Sequence, residues 1–159
     1  MLVILGVLWT APELCRSENC AWLNAATAGG LLGGEVTMKV AYTTAADTTC
    51  EFTVKGTSPS SSLQITVHTM TSVSQDFPAY RSQCGESNSA LRGVGNEAVE
   101  CTLMSEPGEM TEQIIGRVRE RVFVLKWKMA LNGDLTTQAK TDMREKIRNV
   151  AEQVAGSLF

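Results

Sequence analysis

The chain of 159 residues contains a single histidine, His68, and that scarcity excludes a good deal. One imidazole cannot build a metal site without carboxylate or thiolate partners at ligand spacing, and none stands near it in sequence. It also leaves one base for any histidine-activated nucleophile, which tertiary contacts would have to supply. His68 falls on the polar face of a strand-like segment and reads as a partly exposed structural histidine. Gly-x-Ser-x-Gly, Cys-x-x-Cys and His-x-x-x-His are all missing, so no motif points to an enzyme. Positive charge is not in excess either. Fourteen Lys and Arg against 17 Asp and Glu give a formal charge of −3, which argues against a nucleic-acid partner. No apolar run approaches the roughly 20 residues that span a bilayer, so no transmembrane span is expected.

What is present begins with "MLVILGVLW", an apolar run of signal-peptide length followed by "TAPELCRSENC". A secretory signal normally opens with positive charge, yet the first basic residue is Arg16. Residues 1–17 are read as a leader or signal-peptide remnant, and 18–159 as one domain. A buried N-terminal strand and a retained anchor compete with the leader reading. Lipidation of a cysteine calls for a small residue before it. Leu14 precedes Cys15 and Asn19 precedes Cys20, so the pattern argues against a lipid anchor. A domain of this size buries roughly 70% of its unfolded surface and can hold a full core.

"NAATAGGLLGG" predicts a short helix, with Asn24 as N-cap and Gly33 as a left-handed stop. Three strands are predicted at Val36–Tyr42, Thr49–Lys55 and Leu63–Met70. In the second, Cys50, Phe52 and Val54 alternate with Thr49, Glu51 and Thr53; in the third, Leu63, Ile65 and Val67 alternate with Gln64, Thr66 and His68. "SVSQDFPAYRSQC" predicts an irregular helix from about Ser74, with Pro78 restricting where it begins. A further strand is expected around Ala98–Leu103. In "TEQIIGRVRERVFVLKWKMA" the apolar positions switch from even (Ile114, Gly116, Val118) to odd (Phe123, Leu125, Trp127, Met129). One strand cannot change face midway, so the chain must turn near Arg119-Glu120. From Leu135 to Leu158, Met143, Ile147, Val150, Val154 and Leu158 recur at steps of three and four, the pattern of a long amphipathic helix.

"GVGNEA", Gly93 to Ala98, has the letters of a dinucleotide fingerprint but precedes a strand instead of opening a helix, so it reads as a turn. Arg117, Arg119 and Arg121 concentrate positive charge on the hairpin and form a candidate anion patch; a solvated charged face is the plainer reading. The cysteines lie at 15, 20, 50, 84 and 101, too scattered for paired zinc ligands. Exported chains favour disulfides. A leader ending between Cys15 and Cys20 leaves four cysteines, which can pair in three ways.

The order of these features resembles a family of exported bacterial domains of unknown function, common as actinobacterial lipoproteins. That family is related to the extracellular sensor domain of mycobacterial serine/threonine kinases. The features that carry it are Cys20, "AATAGGLLGG", "CEFTV", "GVGNEA", "GRVRERVFVL" and "VAEQVAGSLF", over roughly residues 18–159. The resemblance implies an α+β fold, with one twisted antiparallel sheet packed by the long C-terminal helix and the short N-terminal helix. It also implies a secreted, periplasmic or envelope location and a cleft for ligands, and it supplies no catalytic residues. Its order of elements, with the short loops closed, favours the pairing Cys20–Cys50 and Cys84–Cys101. The resulting expectation is a non-enzymatic exported binding or interaction domain without cofactor or metal. Its partner would be a small apolar ligand or another protein, with Trp22, Leu31, Leu32, Phe123, Leu125 and Trp127 as candidate pocket lining or plain core. The alternatives are an envelope-associated structural protein, and a hydrolase whose site forms only in three dimensions.

Overall fold

The computed structural model describes residues 19–42, 44, 46–56, 61–106, 108–131, 133 and 135–159. The leader assigned to residues 1–17, with Cys15, lies outside them.

Helix α1 (Ala25–Leu32) begins where Asn24 accepts a hydrogen bond from the Thr27 amide at 2.8 Å. It ends at Gly33, whose φ of 81° only glycine adopts without strain. Strands β1 (Val36–Tyr42), β2 (Asp47–Val54) and β3 (Ser62–Thr69) follow as an antiparallel meander. Their alternation holds: Cys50, Phe52, Val54, Leu63, Ile65 and Val67 face inward and are buried. Helix α2 (Val73–Arg81) and a 3-10 turn (Ser82–Cys84) then carry the chain across to the far edge of the sheet. There β4 (Ser89–Leu91) pairs with β5 (Glu97–Glu106), and β6 (Glu109–Val118) and β7 (Arg121–Ala130) return to pair with β3. The sheet order is β1-β2-β3-β7-β6-β5-β4, every neighbour antiparallel. Helix α3 (Thr137–Ser157), capped by the Thr136 hydroxyl on the Ala139 amide, closes the fold.

This is an α+β domain built on one seven-stranded antiparallel sheet, with the long C-terminal and the short N-terminal helix packed on it. Both lie on the same face. Beneath them Phe52, Leu63, Ile65, Ile114, Phe123, Leu125, Ile147 and Val154 form the main core. The hairpin turns at Arg119-Glu120 as its phase change requires, with Arg119 at φ 53°, the positive φ a two-residue hairpin turn demands. Gly116 pairs across from Phe123, and a Cβ there would stand 2.2 Å from the ring, so the aromatic lies over the bare glycine.

The second face departs from the sequence expectation. Alternation in β6 and β7 predicts one wet side, yet Ile115, Val122 and Val124 are buried there with Val99 and Cys101. The reason is α2. Its Phe77, together with Met70 and Cys84, packs on those positions as a second core. The helix runs through Pro78, and Asp76 fixes its first turn by accepting hydrogen bonds from the Thr71 and Ser72 amides at 3.0 Å. Beyond the reach of α2 the second face stays polar, with Lys39, Glu51, Gln64 and Lys126 in one cross-strand row.

Candidate functional site

Two disulfides fasten this architecture. Cys20–Cys50 ties the chain before α1 to β2, and Cys84–Cys101 ties the 3-10 turn to β5, with Cα separations of 5.8 and 5.5 Å. The favoured pairing is the one observed. The second bond holds the end of α2 against the sheet, and Gln113, fully buried on β6, donates to Cys84 Sγ at 3.8 Å.

The six apolar residues named as pocket lining do come together, as part of the main core. Phe123 and Leu125 have no exposed surface, Leu31 and Trp127 are buried, and Trp22 and Leu32 pack half-buried against them. Trp127 Nε1 donates to the Ser61 hydroxyl at 3.1 Å, which satisfies its one polar atom. Of the three hairpin arginines, by contrast, Arg117 parts from the other two. Arg117 points to the α2 side, where its Nε meets Glu97 Oε1 at 2.9 Å and its guanidinium lies 5.9 Å from the Phe77 ring centre. Arg119 instead stacks over Phe159 at 6.0 Å, and Arg121 lines a small hollow with it at the end of α3.

A more built cleft lies where α2 passes the β4–β5 turn. It has a volume of about 360 Å³, at the small end of the roughly 300–1,000 Å³ range of ligand pockets. Phe77, Leu91, Val94, Ala98 and Val99 lie along its floor, all five buried, Leu91, Val94 and Ala98 packed into the main core and Phe77 and Val99 into the second. Its turn is the "GVGN" segment. Gly93 and Gly95 have φ of 83° and 63°, and a Cβ on Gly95 would stand 2.4 Å from the Arg117 carbonyl oxygen. Glycine is therefore required there for the backbone to lie against β6, where the Asn96 amide donates to that same carbonyl at 2.7 Å. Arg81 from α2 and Arg92 from the turn stand exposed at its edge. Neither forms an ion pair with any described residue. Neither arginine stands out in the sequence. They lie 11 positions apart, and only the crossing of α2 over the sheet brings them to one cleft; "LRGVG" beside a turn was the available signal.

His68 is not isolated. Its Nδ1 shares a hydrogen bond with Asp47 Oδ1, while Asp47 Oδ2 accepts from the Thr44 hydroxyl at 2.7 Å. The Thr44 bond first, and the imidazole second, hold the Asp47 carboxyl below the usual aspartate range. Tyr80 of α2 leans on the imidazole, ring centres 5.8 Å apart. Burial, reinforced by the charges of Asp47 and Asp76, raises its phenol. On the opposite face Glu112 of β6 is nearly enclosed and takes a hydrogen bond from the Thr102 hydroxyl at 2.8 Å, with Arg144 Nε at 4.0 Å. No group of three or more His, Cys, Asp or Glu side chains among the described residues is arranged to hold a metal ion.

The class is thereby defined: a disulfide-bonded α+β domain with an antiparallel sheet covered by two helices on one face and partly by a third on the other. No protein-family model matches the chain, and no curated protein matches it.

Proposed function

We propose that this chain is an exported, non-enzymatic binding domain that takes a small ligand in the cleft between α2 and the β4–β5 turn. The observation that carries this reading is the cleft itself, an apolar base edged by two arginines without counter-ions among the described residues. Apolar concavity combined with a few convergent polar groups is the usual make-up of a ligand site. Export is supported by the two disulfides, which persist in oxidising compartments. No helix among the described residues is long and apolar enough to cross a membrane, which is compatible with a secreted or periplasmic protein. The resemblance to a family of exported bacterial domains points the same way.

Native mass spectrometry of protein purified from its own host tests the reading. Ala90 lines the cleft and is exposed, so Ala90→Trp fills the space while leaving the core intact. The expected result is a bound adduct on the wild-type chain that the A90W variant loses while keeping its thermal midpoint. A chain bare in both forms would favour the structural, envelope-associated alternative.

One observation favours a second reading, as a hydrolase. The Asp47–His68 pair is the orienting half of a general-base constellation. Among the described residues, no hydroxyl or thiol hydrogen-bonds the imidazole, so a nucleophile would have to come from water or substrate. Ester hydrolysis abolished by His68→Ala would establish that activity, and rates equal to those of the variant would dismiss it.

A further inference from the structure

We infer that the cleft selects an amphipathic anion, a ligand carrying one carboxylate or phosphate group on a short apolar body. This deepens the preceding proposal and rests on it.

Positive charge gathers around the cleft. Three guanidiniums approach it: Arg81 and Arg92 at its edge, and Arg117 behind Phe77 and Glu97. Glu97 is the one acidic side chain among the lining residues, and its carboxylate is engaged by Arg117 at 2.9 Å. Arg117 is further fixed by donating to the Arg119 carbonyl at 2.9 Å, so it is committed to holding the turn. Two positive charges are left facing the cleft in a chain whose formal charge is −3. A positive cleft with low-dielectric walls in an otherwise acidic protein concentrates anions locally. Guanidinium groups suit carboxylate and phosphate oxygens because their donors match that geometry.

The base supplies the other half of the selectivity. Phe77, Leu91, Val94 and Val99 carry no charged group, so apolar ligand surface laid against that floor leaves water without stranding a charge. A bare inorganic anion would leave that surface unused, and a neutral apolar molecule would leave both arginines unanswered. The volume of about 360 Å³ limits the apolar body to a short chain or a single ring.

Titration followed by two-dimensional amide NMR tests the inference, with octanoate, octyl phosphate, octanol, octylamine and inorganic phosphate as probes. Octanoate and octyl phosphate are expected to shift the amides of Gly93, Val94, Gly95 and Asn96. Octanol and inorganic phosphate should bind at least tenfold more weakly, and octylamine should leave those amides unmoved. An Arg81→Gln/Arg92→Gln variant should lose at least tenfold in affinity for octanoate. Both side chains are exposed and unpaired among the described residues, so its unfolding midpoint should stay put. Co-sedimentation with phosphatidylglycerol vesicles, lost in that variant, would make the anion a lipid headgroup; its absence, with octanoate still bound, would make it a free ligand. Octanol shifting the same amides with equal affinity would overturn the anion selectivity and leave the binding-domain reading standing. If no probe moved the cleft amides, the cleft would fall as a binding site along with the inference.

Discussion

Glu112 carries its carboxylate into the interface between β6 and α3, with only 5% of the side chain exposed. Burial is the largest influence and raises its pKa above the usual 4.5; the Thr102 hydroxyl and Arg144 offset this only in part. The folded state therefore holds a proton that the unfolded chain has released, so stability falls as pH rises from about 4.5 through the raised value. Glu112→Gln keeps an acceptor for Thr102 and removes the ionisation. Denaturant unfolding at pH 4 and pH 7 should show wild type losing stability relative to the variant across that interval, the difference isolating Glu112 from the other carboxylates. Two adjacent glycines of α1 make a second contrast. Gly30 has open space where a Cβ would go, so Gly30→Ala should stabilise by about 0.4–1 kcal/mol, the gain from stiffening the unfolded chain. At Gly29 the Cβ would stand 2.7 Å from the Gly34 carbonyl oxygen, and Gly29→Ala should destabilise by about 1–3 kcal/mol. Thermal melts of the two variants on one scale decide this. The caps were legible at this scale: Asn24 and Gly33 do what their residue types suggest. The burial of Glu112 and Gln113 was not, because polar letters on a strand read as solvent-facing.

Among the elements, α3 follows its sequence pattern closely. Ile147, Val150, Val154 and Leu158 are buried, while Arg148 and Glu152 are exposed. Ile147→Ala should cost about 2–5 kcal/mol by emptying a site 1% exposed, whereas replacing Arg148 should change stability by no more than about 0.5 kcal/mol. Equal losses in chemical denaturation would put the helical phase in error. Helix α2 shows the converse. Its letters, with Pro78 in the middle and little apolar content beyond Phe77, predict an irregular helix and give it no place to pack. The structure sets it across β5, β6 and β7, where it buries positions that a two-residue alternation leaves wet. Strand β4, three residues long, lies below what alternation can register.

For the whole molecule, the disulfides lock the two layers to the sheet. Cys20–Cys50 and Cys84–Cys101 close segments of 30 and 17 residues in sequence separation. In the chain-entropy model each should contribute roughly 3–4 kcal/mol by constraining the unfolded state. Non-reducing peptide mapping should recover these two pairs, and a Cys20–Cys84 peptide would refute them. Reduction of Cys84–Cys101 has a further expected consequence. It frees the 3-10 turn that anchors the end of α2, and so should loosen the wall of the cleft, seen as faster amide exchange at Phe77 and Arg81 than at Ile114.

While the single antiparallel sheet was implied by the family resemblance, the sequence by itself determined the chain order of the longer strands and of the end helices, the hairpin turn at Arg119-Glu120 and the face that α3 presents. These follow from periodicity, capping and glycine chemistry, which act over a few residues and are written in adjacent letters. The tertiary structure decided the rest. It placed α2 on the second face, divided Arg117 from Arg119 and Arg121, and brought Asp47 against His68 across a strand pair. It also set Arg81 and Arg92 at one cleft. Each of those outcomes depends on which elements lie side by side in the sheet, and β3 beside β7, with five elements between them in the chain, is a choice made only when the whole core closes.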